Sequence, residues 1–196
     1  MRPAYRLVAV IASLASSAVL FAGVAVAARP GSLAMLKVDP RLSGPGVDIS
    51  VVIPSGWHET FTERPPQFLQ MVYPDTCSTG LACASAIART GSGPGSNARM
   101  VAEAAERSII AESGVQDFTI TREGPFRLAG RPGYQVRSTF SNPYAKFRAE
   151  LAVIETGPVS SGGGRMSLVF VAVSDLPGAP TEGVIDQIVN SVQFTP

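Results

Sequence analysis

The sequence has few of the residues from which catalytic and metal sites are built. It contains one histidine, His58, and two cysteines, Cys77 and Cys83. A hydrolase with an imidazole base would have to use His58, because proton transfer near neutral pH otherwise needs a strongly perturbed group. The same few residues form no zinc-ligand constellation, and no Gly-x-Ser-x-Gly nucleophile motif occurs. We therefore predict no catalytic residue, no cofactor and no metal.

The sequence also lacks a strong net charge. Sixteen Lys and Arg residues face fifteen Asp and Glu residues, so the formal net charge is +1. A net charge this close to zero gives no overall electrostatic attraction to nucleic acid or to anionic lipid. Glycine and proline are frequent, but apolar strand-like runs separate them. The composition therefore indicates a turn-rich globular domain rather than a disordered chain.

One long uncharged run occurs, at the N-terminus. Arg2 and Arg6 form a basic region, residues 7–26 carry no charge, and an Ala-Val-Ala tripeptide ends at Ala27. This small-x-small pattern is typical of a signal-peptidase site, with cleavage expected directly after it. About 20 apolar residues can also span a bilayer as a helix. Residues 1–27 are thus either a cleaved signal peptide or a membrane anchor, and both place the rest of the chain outside the cytoplasm.

The two cysteines lie close together in the loop-like stretch YPDTCSTGLAC. In an oxidising compartment such a pair predicts a Cys77–Cys83 disulfide that stiffens one loop. A redox-active dithiol is the alternative, but it would normally have the closer Cys-x-x-Cys spacing.

Residues 28–46 are rich in proline and glycine without a sustained period, which predicts a flexible linker. The domain proper is expected over 47–196. Strand-like segments are predicted over 47–53, 68–73, 84–89, 118–122, 126–128, 134–140, 147–153 and 166–173. The connections between the later segments are too short for βαβ crossovers, so the sheet should be antiparallel.

Two helices are predicted. The first covers about 97–112, and the second begins at Pro180. The apolar stripe of the first contains Val101, Ala104, Ala105, Ser108 and Ile109, and that of the second contains Val184, Ile185, Ile188, Val189 and Val192. The glycine-rich residues 91–96 lack the Lys-Ser/Thr of a phosphate-binding loop, and we interpret them as a flexible connection.

The stretch LAGRPGYQVRSTF, residues 128–140, predicts a central hairpin with its turn over 130–133. Basic residues surround it, namely Arg122, Arg127, Arg131, Arg137, Lys146 and Arg148. Glu123 and Glu150 are interspersed among them. A solvated strand face and a recognition patch are both compatible with this pattern.

Three short stretches, VVIPSGWHE, LAGRPGYQV and IDQIVNSVQF, together with the order of elements, resemble the Mog1/PsbP-like fold. The sequence resembles the exported bacterial branch that includes LpqN-type lipoproteins and DcrB-like proteins. The resemblance implies an α+β domain in which an antiparallel sheet lies between two helices, an α/β/α sandwich. It also implies a non-catalytic binding or assembly module. No shared catalytic residues can be carried over, and the modified cysteine of the lipoproteins is absent here.

These observations lead to one expectation with two alternatives. We expect an exported binding or assembly module of the bacterial cell envelope, secreted or anchored to the outer face of the cytoplasmic membrane. Its partner would be an envelope protein or a small apolar ligand, and Trp57, His58 and Arg131 are the candidate contact residues. The alternatives are a hydrolase or acyl-transfer enzyme using His58 with a distant serine, and a purely structural envelope protein.

Overall fold

The structure is a computed structural model that describes residues 39–60, 68–74, 84–112, 115–157 and 164–195. Ten strands and two helices lie within these ranges. The strands are β1 (Arg41–Leu42), β2 (Ile49–Val52), β3 (His58–Thr60), β4 (Phe68–Tyr73), β5 (Ala86–Gly95), β6 (Gln116–Leu128), β7 (Arg131–Ser141), β8 (Lys146–Glu155), β9 (Gly164–Ser174) and β10 (Gln193–Phe194). The helices are α1 (Ala98–Glu112) and α2 (Gly183–Asn190).

Seven of the strands form one sheet in the order β3-β4-β5-β9-β8-β7-β6. Every neighbouring pair in it is antiparallel, as the short connections predict. The strands β1 and β10 pair with the two sides of β2 and make a separate three-stranded sheet.

Both faces of the seven-stranded sheet are covered, so the domain has three layers. On one face, Ala102 and Ala105 of α1 belong to a buried cluster with Leu151. On the other, Ile188 of α2 belongs to a second cluster with Val171, and this cluster includes the small sheet. The four buried side chains of α2 each contribute about 1.5–3 kcal/mol by leaving water. The α/β/α sandwich implied by the resemblance is therefore confirmed.

The central hairpin exists, but its turn lies earlier than predicted. Leu128 pairs with Arg131, so Ala129 and Gly130 alone form the tip. Their φ angles are +47° and +82°, which is the positive-φ pair of a type I′ turn. The predicted turn residue Gly133 lies inside β7, where an added Cβ would sit 2.4 Å from the carbonyl oxygen of Val153.

The glycine-rich segment is a strand, so the prediction of a flexible loop over 91–96 is wrong. The strand β5 continues to Gly95, which pairs with Gly164 of β9. A Cβ on Gly95 would lie 2.6 Å from Met166 Cγ and 2.7 Å from Val101 Cγ2. The missing side chains let strand and helix approach closely, and the long-range pairing overrides the local loop preference.

The helices largely follow the sequence pattern. Asn97 caps α1, because its side-chain oxygen accepts hydrogen bonds from the backbone N–H groups of Arg99 at 2.9 Å and Met100 at 3.3 Å. The second helix begins at Gly183, three residues after the predicted Pro180. Its buried residues are Val184, Ile185, Ile188 and Val189, as the apolar stripe predicts.

The linker prediction needs one correction. Arg41 and Leu42 fall within 28–46 but form β1, and Leu42 is 1% exposed. Residues 1–38 lie outside the described residues, as do Cys77 and Cys83, so the structure does not test the export segment or the disulfide. No helix within the described ranges is long and apolar enough to cross a membrane.

Candidate functional site

Trp57 lies immediately before the edge strand β3 and belongs to the core on the α2 side of the sheet. Its side chain is 7% exposed, and its ring packs at a tilt against Tyr73 with the ring centroids 6.1 Å apart. A partner at the surface would reach little of this ring. The contact role predicted for Trp57 remains a prediction.

His58 begins β3, where it pairs with Val72. The residue is half-buried, and its Nδ1 atom makes no hydrogen bond within the described part of the chain. The hydrolase hypothesis needs this imidazole beside a serine in a concave pocket. No described serine is bonded to Nδ1, and His58 does not line the apolar cleft described below.

Arg131 is exposed but already has two partners inside the protein. Its guanidinium donates a hydrogen bond to the carbonyl oxygen of Thr156 at 2.9 Å. It also lies over the ring of Phe194, 4.5 Å from the centroid. Arg131 thus holds the end of the chain against the central hairpin.

The three candidate residues do not form one site. His58 is on β3 and Arg131 on β7, five steps apart in the strand order. At about 4.8 Å per step, this separates them by about 24 Å across the sheet. The structure therefore brings together Trp57 and His58, which are neighbours in sequence, and leaves Arg131 far away.

Two further basic residues of the central strands, Arg137 and Arg148, also have partners within the protein. Arg137 forms ion pairs with Glu150, at 2.8 Å, and with Asp186 of α2. Arg148 pairs with Glu182, which precedes α2. Glu150 is 2% exposed, and this burial raises its pKa, which Arg137 opposes. Such pairs connect α2 to the sheet, so these two arginines contribute to the packing of the domain.

One concave feature of the described structure is an apolar cleft under the C-terminal half of α1, which we call the α1 cleft. Its lining residues are Glu106, Ile109, Phe118, Val136, Ser138, Phe140, Leu151 and Phe170. The cavity volume is about 10 Å³, which is room for about one water molecule. A drug-sized apolar ligand does not fit such a space without movement of the helix.

Glu106 is the one ionisable group in this lining. Its Oε1 atom is buried and accepts no hydrogen bond from the described residues. Burial raises the pKa of Glu106, and the nearby Glu123 carboxylate raises it further. An acidic side chain here was not singled out from the sequence. It could have been, because Glu106 follows Ala102 by four residues and precedes Ile109 by three, and so interrupts a buried stripe.

Exposed apolar side chains lie beside the cleft. Ile120 is 42% exposed and pairs across β6 and β7 with Ser138, a lining residue. Ile110 is 37% exposed and follows the lining residue Ile109 on α1. With the half-buried Ile109 and Phe118, they form what we call the apolar rim, defined as Ile109, Ile110, Phe118 and Ile120.

Aromatic packing supports the rim from below. The ring of Phe118 stacks on Phe140 with centroids 6.4 Å apart, and Phe140 stacks on Phe147 at 5.1 Å. The row runs across β6, β7 and β8, so the rim rests on a rigid part of the sheet. No group of three His, Cys, Asp or Glu side chains that could hold a metal ion occurs among the residues described.

Comparisons with known proteins identify the fold. No protein-family model matches the sequence, and no curated protein matches it. Among solved structures, the chain is similar to PsbP (CyanoP) from the cyanobacterium Synechocystis sp. PCC 6803, with a TM-score of 0.52, 11% identity and coverage of 84% of this chain and 98% of that one. It is also similar to LpqN, involved in cell envelope biogenesis of Mycobacterium tuberculosis, with a TM-score of 0.49, 15% identity and coverage of 78% and 87%. At such low identity the first likeness shows the fold alone, which is the Mog1/PsbP-like fold.

Proposed function

We propose that the protein is an exported, non-catalytic binding or assembly module of the bacterial cell envelope. Export is supported by the basic start, the uncharged run and the Ala-Val-Ala tripeptide ending at Ala27. A binding role is supported by the resemblance to the Mog1/PsbP-like family, which implies a non-catalytic binding or assembly module.

The observation that carries the binding role is the apolar rim. Within the described residues, two of the five exposed large apolar side chains, Ile110 and Ile120, belong to it. Contiguous exposed apolar patches of several hundred Å² mark interaction sites, and we propose that the rim is the exposed part of a contact that a partner completes. A partner that covers the rim would remove both side chains from water, which contributes about 25 cal/mol per Å² of apolar surface buried.

The small volume of the α1 cleft favours a protein partner over a small apolar ligand. A cavity of about 10 Å³ cannot enclose a ligand, whereas a protein surface needs only the exposed rim. The hydrolase alternative gains no support from the described residues, since His58 lies outside the cleft and its Nδ1 atom is unbonded there.

Site-specific photo-crosslinking tests the proposal. A photoreactive residue at position 120 should form an adduct with a specific envelope protein in intact cells. The matched control is position 176, because Leu176 is also 42% exposed but lies away from the rim. An Ile110→Asp substitution should abolish the adduct from position 120, since it places a charge in the middle of the contact.

Two outcomes would overturn the proposal. Equal crosslinking from positions 120 and 176, or none from either, would show that the rim is not a specific interface. A robust hydrolase activity that is lost on His58→Ala would instead support the enzymatic alternative. Mass spectrometry of the exported protein separately tests the role of the N-terminal segment. A mature chain beginning at Ala28 identifies a signal peptide, and an intact N-terminus identifies an anchor.

A further inference from the structure

The strand β6 forms an edge of the seven-stranded sheet. It is last in the strand order, and among the described strands it pairs only with β7. It is 13 residues long, and most of its side chains are exposed. An edge strand of this kind presents unpaired N–H and C=O groups to which another strand can bond. The apolar rim contains two residues of β6, Phe118 and Ile120, so the rim lies directly beside this edge.

The backbone groups of these two rim residues point away from the sheet. Asn142, just after β7, donates a backbone hydrogen bond at 3.0 Å to the residue that precedes β8. Because the residues of a strand bond to its two neighbouring strands in turn, Thr139 bonds toward β6. Thr139 lies opposite Thr119. The residues on either side of Thr119, which are Phe118 and Ile120, therefore direct their N–H and C=O groups outward.

A second copy of the chain fits this edge when a two-fold axis passes through Thr119. In an antiparallel pair with that axis, Phe118 of each copy lies opposite Ile120 of the other, and their outward backbone groups meet. An aromatic residue opposite a β-branched residue is a favourable cross-strand pair. Ile120 is 42% exposed in the single chain, and this pairing would remove much of its side chain from water.

Charges on the opposite face of β6 favour the same axis. Asp117 accepts a hydrogen bond from Ser141 of β7 at 3.1 Å. Arg122 lies opposite Arg137, four residues before Ser141 on that strand, so both charges lie on one face. Arg122 forms no ion pair within the described part of the chain, although its charge acts on Glu150. With this axis, Asp117 of each copy comes within about one residue spacing of Arg122 of the other.

A longer pairing and other registers are disfavoured. The register between β6 and β7 shifts on both sides of Thr119, near Asp117, whose φ is +49°, and again after Ile120. Further along the strand, Pro125 has no N–H group to donate, and bulges and proline limit the pairing of an edge strand. An axis through Ile120 would place Glu123 of one copy opposite Asp117 of the other, and such like charges destabilise a strand pair.

We propose that the partner at the apolar rim is a second copy of this chain, whose β6 pairs antiparallel with β6 about a two-fold axis at Thr119. This inference rests on the proposed function, because it names the partner at the same rim. Ile110 of each copy then borders a shared row of Phe118 and Ile120 side chains. Both copies use the same edge, so the assembly closes at a dimer. The contact is short, so the dimer is weak and depends on protein concentration.

Sedimentation velocity of the purified exported protein tests the inference. The apparent mass should rise from that of one chain toward that of two between about 10 µM and 1 mM, the range of a weak contact. Ile120→Lys should weaken dimerisation about tenfold, since each dimer loses two apolar cross-strand pairs. Leu176→Lys is the matched control and should leave dimerisation unchanged, because Leu176 is also 42% exposed but lies away from the rim.

Two charge reversals test the position of the axis. Asp117→Lys alone would set two cations against each other at each contact, and Arg122→Glu alone would set two anions against each other. Each variant should therefore dimerise about fivefold more weakly than the native protein. An equimolar mixture of the two variants should regain the native strength, because unlike charges then meet at both contacts. Circular dichroism of each variant shows whether it is folded.

Three results would overturn the inference. A native protein that stays monomeric up to about 1 mM lacks the contact. Equal dimerisation of the native protein and Ile120→Lys would place the contact elsewhere. A mixture that remains as weak as its two components would exclude the axis at Thr119. In each case, a specific crosslink from position 120 to a different envelope protein would still support the proposed function, so the two proposals fail separately.

Discussion

The guanidinium of Arg131 lies over the ring of Phe194, with the central carbon 4.5 Å from the ring centroid. This contact joins the first residue of β7 to the last residue of β10. Phe194 in turn packs against the core on the α2 side. An arginine at the central hairpin, named from the sequence as a candidate contact residue, therefore stabilises the attachment of β10.

Replacing Arg131 should weaken this attachment. We expect Arg131→Ala to lower the free energy of unfolding by about 0.5–1 kcal/mol, the range for a cation–π contact at an exposed site. In a Phe194→Leu background the same substitution should cost less, and urea denaturation of the four proteins measures the difference. Arg127→Ala is the control, because Arg127 donates a hydrogen bond to the carbonyl oxygen of Gly130 in the same hairpin. Strict additivity of the Arg131 and Phe194 substitutions would argue against the contact.

The tip of the hairpin can be stabilised. Ala129 has a φ of +47°, a conformation that costs a non-glycine residue about 1 kcal/mol. Asparagine is preferred at this position of a type I′ turn, so Ala129→Asn should raise the free energy of unfolding by about 0.5–1 kcal/mol. Gly130→Ala should lower it, since Gly130 has a φ of +82°. A loss of stability in Ala129→Asn, measured by thermal unfolding, would contradict the turn type.

Two glycines should respond to the same substitution in opposite directions. Gly95→Ala should cost about 1–3 kcal/mol, because the new methyl group would overlap Met166 and Val101. Gly183→Ala should stabilise the protein by about 0.5–1 kcal/mol, because the nearest atom lies at 3.8 Å and alanine favours the helix. Chemical denaturation of both variants under one condition checks the contrast. A neutral Gly95→Ala would mean that β5 and α1 do not approach as closely as described.

Removing Arg137 and removing its partner Asp186 should lower the free energy of unfolding by different amounts. Arg137→Ala should cost about 2–3 kcal/mol, since it leaves the buried Glu150 carboxylate without its cation. Asp186→Ala should cost less than about 1 kcal/mol, because the Asp186 side chain is 53% exposed and the pair is screened by solvent. Denaturant titrations at neutral pH measure both changes in the free energy of unfolding. Equal losses would show that Arg137 does not act mainly by neutralising the buried Glu150 carboxylate.

The same pair has a definite pH dependence. The pKa of Glu150 is already raised by burial, and loss of Arg137 should raise it further. A carboxyl whose pKa is higher in the folded state than in the unfolded state destabilises the fold above that pKa, and protonation relieves the penalty as the pH falls. The defect of Arg137→Ala should therefore shrink between neutral and mildly acidic pH. A defect that grows over this range would show that Glu150 is not the group involved.

The predicted disulfide can be tested with thiol reagents. In the exported protein, Cys77 and Cys83 should resist alkylation until a reductant is added, because an oxidising compartment favours the bond. Reduction should lower the free energy of unfolding by no more than about 2–3 kcal/mol, since the closed loop is short. Alkylation of both thiols without a reductant would contradict the prediction.

The elements that the sequence predicts best are those with a periodic pattern. The segment 68–73 coincides with β4, and the buried residues of α2 are those of its apolar stripe. The pattern misses β1 and β10, which are two residues each and too short to show a period. They exist because β2 offers an edge on either side, which is a long-range effect.

The candidate site was harder to predict than the fold. Glu106 and the apolar rim come together only because the C-terminal half of α1 packs against β6 and β7. This contact is long-range, and no local sequence pattern predicts it. The glycines of β5 lead to the wrong prediction of a loop for the same reason. Their composition is typical of a loop, and only the pairing with β9 and the contact with α1 make a strand of them.

The small sheet also determines where the two ends of the described chain lie. Because β1 and β10 flank β2, residues 42 and 193 lie about 10 Å apart, two strand spacings. Both belong to the layer of α2, whereas the α1 cleft opens on the opposite face of the seven-stranded sheet. A partner bound at the apolar rim would therefore cover the face away from β1 and β10, and the described chain would enter and leave the domain on the side that this partner does not touch.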